Sequence, residues 1–227
     1  MIYLCGDTHI PIDIKKLNIQ NFPEQKSMTR NDYVIILGDF GLLWKRDKTY
    51  EHWFKTLTKK KFTILWLDGN HENFDWIESL PEFEWNGGPV HLVADNILHL
   101  ERGYIYTIEN LTFFVCGGAA SYDKARRIPY ESWWPHELLS YEEENRALDN
   151  LEKVNNTVDY VLTHTCPKSI INSMFNPMSS FFVDPVSNFL EEVYRRITFK
   201  DWYFGHWHED MRFENFHCLY NNLIKLT

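Results

Sequence analysis

Short apolar runs recur along the first part of the chain, and each closes on a turn carrying glycine, aspartate or asparagine. Ile2–Cys5 runs into Gly6-Asp7, Tyr33–Leu37 into Gly38-Asp39, and residues 62–67 into Asp68-Gly69-Asn70. Between the last two lies a segment, 47–60, whose apolar residues Tyr50, Trp53, Phe54 and Leu57 recur at helical spacing. Strands buried on both faces read as continuous apolar runs rather than alternating ones. The pattern therefore predicts strand–helix–strand units in a layered α/β domain.

Beyond residue 90 the runs crowd together. Residues 91–93, Ile97–Leu100, Tyr104–Ile108 and 112–116 read as strands, with Asp95-Asn96 and Glu109-Asn110 as turns. Such close spacing favours antiparallel pairing. Residues 119–137 carry arginines and aromatics without periodicity and read as an inserted loop. Ser140 opens a helix to about 154, and Glu143 three residues on completes a capping-box pattern. Then come a strand at 158–162, a helix at 185–196, a strand at 202–204, and one or two further strands within 213–224. With no repeat, low-complexity tract or linker in 227 residues, the expectation is one domain spanning 1–227.

Composition changes this picture little. Hydrophobic residues at 44% supply a core, and the formal net charge is -9. That balance argues against a strong nonspecific nucleic-acid grip, which needs clustered Lys and Arg. It leaves nucleotide-derived substrates open, because a bound metal can provide the positive charge. Cys5, Cys116, Cys166 and Cys218 form no CxxC pair, so neither a disulfide framework nor a zinc finger is expected. The start MIYLCGDTH has no signal-peptide pattern, and no run of 18 apolar residues exists. The expected location is cytoplasmic with no membrane association; oligomeric state is not legible.

The informative regularity is where metal-binding side chains fall. Asp7 and His9 follow the first strand, Asp39 the second, Asn70 and His71 the third. His164 follows the strand at 158–162, and His206 and His208 follow the one at 202–204. Ligand sites in open α/β sheets form beyond the carboxyl ends of strands, so these residues can converge in one crevice. Two cations about 3.5–4 Å apart clamp a phosphoryl group for in-line displacement. Because they repel, they need anionic oxygen near or between them, which a carboxylate such as Asp39 can supply. A mixed His/Asp/Asn set favours Mn²⁺, then Fe, Zn²⁺ or Ni²⁺, over Mg²⁺ alone.

These blocks resemble the calcineurin-like metallophosphoesterase superfamily, whose signature runs D-x-H, G-D, G-N-H-[DE], a histidine, and G-H-x-H. Here they are Asp7-Thr8-His9, Gly38-Asp39, Gly69-Asn70-His71-Glu72, His164 and Gly205-His206-Trp207-His208, in order from residue 7 to 208. The resemblance implies a two-sheet β-sandwich flanked by helices, in four α/β/β/α layers. It implies two divalent metal ions, with Asp7, His9 and His208 on one, Asn70, His164 and His206 on the other, and Asp39 bridging. His71 would not bind metal but would stabilise or protonate the leaving-group oxygen. The implied reaction is hydrolysis of a phosphate ester by a metal-activated water. The protein phosphatases of the superfamily extend G-D as GD-x-VDRG; here the text is Gly38-Asp39-Phe40-Gly41-Leu42-Leu43-Trp44. The Asp that would orient His71 and the phosphate-binding Arg are both missing from it. A phosphodiesterase or nucleotide phosphatase fits better. The alternative is a non-catalytic interaction scaffold on the same fold, as in a retromer subunit, although a scaffold has no chemical reason to keep His71 and the full donor set.

Outside these blocks the reading is less specific. Glu72 suits either a hydrogen bond from a ligating imidazole or the dipole of a helix start. Asp75 suits the dipole of a helix start. Arg126 and Arg127 in the inserted loop are candidate substrate-phosphate contacts. Trp133 and Trp134 either stack a base or close the loop onto the core. His52, His91, His99, His136 and His217 lack motif context and read as surface or packing residues, with His136 the least secure because it lies in the loop.

Overall fold

The computed structural model describes residues 1–175 and 184–226. Along them run thirteen strands and five α-helices: β1 Ile2–Cys5, β2 Tyr33–Leu37, α1 Lys48–Leu57, β3 Thr63–Leu67, α2 Phe74–Glu78, β4 Glu82–Trp85, β5 Gly88–Ala94, β6 Ile97–Leu100, β7 Tyr104–Ile108, β8 Leu111–Cys116, α3 Tyr141–Lys153, β9 Tyr160–Thr163, α4 Lys168–Met174, α5 Pro185–Tyr194, β10 Asp201–Phe204, β11 Met211–Phe213, β12 Phe216–Cys218 and β13 Ile224–Lys225. They form two mixed sheets, ordered β13-β1-β2-β3-β6-β5-β4 and β11-β12-β10-β9-β8-β7. Within the first, β1, β2, β3 and β6 are mutually parallel; within the second, β8, β9, β10 and β12 are.

Side-chain parity explains the layering, because alternate residues of a strand point to opposite faces. Ile2, Leu4, Ile35, Leu37, Leu65 and Leu67 meet Phe113, Val115, Leu162 and Tyr203 of the other sheet in a central cluster. Their neighbours Tyr3, Cys5, Val34, Ile36, Ile64 and Trp66 face outward, packed with Leu57, Tyr50, Trp53 and Phe54 of α1. On the far side Phe114, Cys116, Val161, Trp202 and Phe204 pack with α3, α4 and α5 through Leu151, Ile170, Phe189 and Leu190. This is the α/β/β/α sandwich that the motifs imply. It also explains why the central strands read as unbroken apolar runs.

Three sequence expectations need correction. Antiparallel pairing holds for β5 with β6 and β7 with β8, but β6 and β7 lie in different sheets. The turn at Arg102-Gly103 carries the chain across, and Arg102 is anchored there by buried bonds to Asp68. Strand β4 was not anticipated: its residues EFEW are mostly exposed at a sheet edge, so no apolar run announces it. Trp134 offers no free stacking face. It is 2% exposed, its Nε1–H donates to Asp75 at 2.9 Å, and its ring meets Trp44 edge-on. The 119–137 segment is otherwise irregular as expected, with 3-10 turns at Lys124–Arg126 and Pro135–Glu137. It is pinned at both ends by buried Ser121 and Glu137, whose backbone N–H and Oγ–H donate to the two carboxylate oxygens at 2.9 and 2.5 Å.

Candidate metal centre

The carboxyl ends of β1, β2, β3, β9 and β10 open onto one place, and there the structure gathers Asp7, His9, Asp39, Asn70, His164, His206 and His208. Asp39 Oδ2 lies 3.1 Å from His9 Nε2, and Asp39 Oδ1 lies 3.4 Å from His164 Nε2. Asn70 Oδ1 lies 3.1 Å from His164 Nε2 and 3.0 Å from His206 Nδ1. His208 Nε2 is 3.8 Å from Asp7 Oδ1. Asp7, His9 and His208 make one convergent donor group, and Asp7, Asp39 and His164 a second that shares Asp7 with it.

The local backbone is strained to reach this arrangement. Asp7, His9, Asp39, His206 and His208 all adopt positive φ, at 21°, 34°, 49°, 66° and 52°. Side chains rarely tolerate this region, and such residues concentrate at functional sites. Two glycines make room: a Cβ on Gly38 would stand 2.1 Å from His164 Nδ1, and one on Gly69 would stand 2.1 Å from Asp39 Oδ1. Buried Lys16 donates to the carbonyls of Gly6, Asp7 and Tyr220, tying the first turn to the C-terminal segment. Asp7 also accepts the His206 backbone N–H, and Asp39 accepts that of His71 at 2.8 Å.

The imidazoles are oriented as a metal requires. His164 Nδ1–H donates to the Leu37 carbonyl at 2.8 Å, and His9 Nδ1–H donates to Asp13 Oδ2 at 2.9 Å. Each bond sets the tautomer that leaves an Nε2 lone pair facing the centre. Ligands bonded at about 2.0–2.2 Å stand roughly 3.0–3.5 Å from one another around one ion; the spacings around Asp39 and Asn70 fall in that range, and His208 stands slightly farther from Asp7 at 3.8 Å. The set of carboxylate, amide and imidazole donors fits divalent metal ions of the first transition row. Asp13 was not foreseen; its only sequence signal is the i+4 spacing from His9. Nor were Lys16 and the Asn70–Ser121–Glu137 chain, in which Asn70 Nδ2 donates to Ser121 Oγ at 3.0 Å. Among the described residues no imidazole bonds Glu72. Its Oε1 accepts the Phe40 N–H at 2.8 Å, which holds the turn after Asp39.

Electrostatically the pocket is built around buried negative charge. Burial pushes the Asp7 carboxyl up to about 7, with Asp39 adding to the rise. Burial opposes a charge on the His164 ring, yet Asp39 and Asp7 beside it carry its pKa up to about 10. The neighbouring His206 ring is pushed well down, first by burial and then by His164. A divalent cation would favour the ionised Asp7 together with the neutral His164 and His206 rings.

His71 stands beside this cluster, its ring 5.9 Å from that of His9. Burial lowers its pKa against the pull of Asp39, and Arg127 adds to the lowering, so Arg127 lies within electrostatic reach of it. Arg127 is half-buried, bonded from Nε to Asp123 at 2.7 Å and from Nη1 to the Ser132 carbonyl. Arg126 is exposed. Tyr122, 51% exposed, lies nearly parallel to the His206 ring at 6.0 Å. His136 is remote from the cluster, half-exposed near Glu78.

No curated protein matches the chain. The family model for calcineurin-like phosphoesterases matches residues 1–210, a span holding every donor of the centre. No helix among the described residues is long and apolar enough to cross a membrane. With a two-sheet sandwich, strand-end donors spaced for divalent metal and a family match over most of its length, the chain belongs to the calcineurin-like phosphoesterases, a family of metal-dependent phosphoester hydrolases.

Proposed function

We propose that this member is a two-metal phosphodiesterase or nucleotide phosphatase. The observation that carries the two-metal reading is the orientation of Asp39, whose two oxygens face histidines from different strands. Asp7, His9 and His208 would hold one ion and Asn70, His164 and His206 the other, with Asp39 lying between the two sets. Divalent ions held there, Mn²⁺ foremost, would supply Lewis acidity and lower the pKa of a water toward neutrality.

The protein's own groups do the rest. His71, held by its backbone N–H to Asp39, faces the leaving-group oxygen and donates a proton to it. Burial lowers its pKa and so reduces the protonated fraction, and the negative charge of a bound phosphate opposes that lowering. Arg127, fixed by Asp123, neutralises phosphate oxygens beside His71. Tyr122 presents an aromatic face at the rim for the organic part of the substrate. The absence of the GD-x-VDRG extension argues against phosphoprotein substrates.

The test is a turnover panel with Mn²⁺-loaded protein: a phosphopeptide, simple aryl monoesters, aryl diesters, nucleoside phosphates and dinucleotides. Diester or nucleotide turnover should exceed that of the aryl monoester by at least about tenfold, roughly 1.4 kcal/mol of preferential transition-state binding. A phosphopeptide or simple monoester as best substrate would refute the assignment.

A further inference from the structure

A second constellation of donors lies outside the phosphoesterase centre, on the outer face of the first sheet. His91 of β5 and His99 of β6 are directly opposite partners in an antiparallel pair. Glu101, two residues past His99, projects to the same side. Residues directly opposite bring their Cβ atoms to about 4.5–5.5 Å, and here the rings stack at 5.4 Å with 22° between planes. His91 is 6% exposed and His99 3%.

The three inward-facing atoms are His91 Nδ1, His99 Nδ1 and Glu101 Oε1. The separations are 3.1 Å between the two nitrogens, 2.9 Å from His91 to Glu101, and 4.0 Å from His99 to Glu101. Tetrahedral zinc with bonds of about 2.0–2.1 Å places its ligands roughly 3.3–3.4 Å apart. The observed triangle surrounds that value.

The outer nitrogens are turned toward carboxylates. His99 Nε2 lies 3.4 Å from Asp68 Oδ1, and Asp68 is in turn gripped by the buried Arg102 guanidinium. His91 Nε2 lies 4.0 Å from Glu82 Oε2 on the neighbouring edge strand. At His99 a carboxylate on the far nitrogen is the arrangement that fixes the tautomer of a ligating histidine and raises its basicity, whereas Glu82 stands beyond hydrogen-bond reach of His91. Beside the donors runs a cleft of about 90 Å³, lined by Phe74, Ile77 and Glu78 of α2 among others. That is room for an ion and a coordinating water, whose share of liquid volume is about 30 Å³.

We propose that His91, His99 and Glu101 bind one further divalent cation, Zn²⁺ by donor chemistry, at a site separate from the phosphoesterase centre. Two imidazoles and one carboxylate suit Zn²⁺ rather than Mg²⁺ or Ca²⁺, which prefer all-oxygen shells. The ion clips the β5–β6 hairpin beneath α2. It also bears, through His99, on Asp68, which precedes Asn70 by two residues.

The test counts metal. Wild-type protein, His91→Phe and Glu101→Gln are saturated with Zn²⁺, desalted and measured by elemental analysis, with circular dichroism as the check on folding. The phosphoesterase centre contributes equally to all three, so the difference reports this site alone. Wild type should hold one more Zn²⁺ per chain than His91→Phe. Glu101→Gln should bind that ion at least tenfold more weakly in competition with a chelator. Should His91→Phe fail to fold, Glu101→Gln, which keeps side-chain volume, decides. Equal stoichiometry and equal affinity in wild type and the folded variants would overturn the site and leave a metal-free His–Glu hydrogen bond in its place.

Discussion

At the scale of single residues, the molecule separates groups that neighbour one another in sequence. Asn70 turns its Oδ1 to two histidines, whereas the next residue, His71, contributes a backbone N–H to Asp39 and keeps its ring to the side. Among the described residues no carboxylate accepts from that ring, consistent with the missing Asp of the GD-x-VDRG segment. His71→Ala should therefore retain both bound metals while turnover falls by about 10²–10⁴, the usual size of an acid–base contribution. Loss is expected to be smallest with good leaving groups; disappearance of a metal from the variant would show that His71 is a ligand. The two loop arginines should also part company. Arg127→Ala is expected to raise KM more than it lowers kcat, the mark of lost uniform binding. Arg126→Ala, at an exposed position, should leave both constants within about twofold, as surface changes cost under about 0.5 kcal/mol. Steady-state kinetics on the two single variants checks this, and reversed effects would move the phosphate contact to Arg126.

At the scale of elements, chemistry sits on strand ends and stability on helices. Five strands deliver donors from their carboxyl ends, and five donors, Asp7, His9, Asp39, His206 and His208, take positive φ in the turns that follow. Helix α3 begins with both halves of its capping box formed: Glu143 N–H donates to Ser140 Oγ at 3.2 Å and Ser140 N–H to Glu143 Oε2 at 2.7 Å. Ser140→Ala should destabilise the protein by about 0.5–2 kcal/mol in denaturant unfolding while leaving turnover unchanged, since α3 packs on the face away from the centre. No change in stability would mean that α3 is held by packing alone. The capping box was readable because it is a local code over four residues. Tyr33–Leu37, Ile97–Leu100 and Tyr104–Ile108 were readable to the residue, because an apolar run between polar turns has only one span. By contrast β4 escaped notice, since an exposed edge strand owes its conformation to β5 across the ladder, and α4 is too short for periodicity to show.

At the scale of the whole molecule, two sheets from distant stretches of chain close around buried charge. Asp7 and Asp39 are 0% and 1% exposed, so cations bound in the pocket would neutralise charge that folding buries. A chelator should abolish activity, with Mn²⁺ restoring it better than Mg²⁺. Calorimetry should show a parallel loss of stability: Mn²⁺ at about a thousand times its Kd adds roughly 4 kcal/mol, or on the order of 10 °C in Tm for a chain of this size. Full activity in protein shown to be metal-free, or a Tm indifferent to the chelator, would contradict the centre. What the sequence by itself determined is the family and the layered fold, and it named the seven donor-type residues that the strand ends bring together. Each of these is written as a residue type at a strand end, and strand ends are visible as the close of an apolar run. What only the tertiary structure decided is everything that depends on distance between remote segments. The crossing from β6 to β7, the tautomer locks from Asp13 and Leu37, the Ser121–Glu137 anchor, the nearness of Arg127 to His71, and the meeting of His91, His99 and Glu101 all depend on such distances. Chain order does not encode them, because they are set by how two twisted sheets pack.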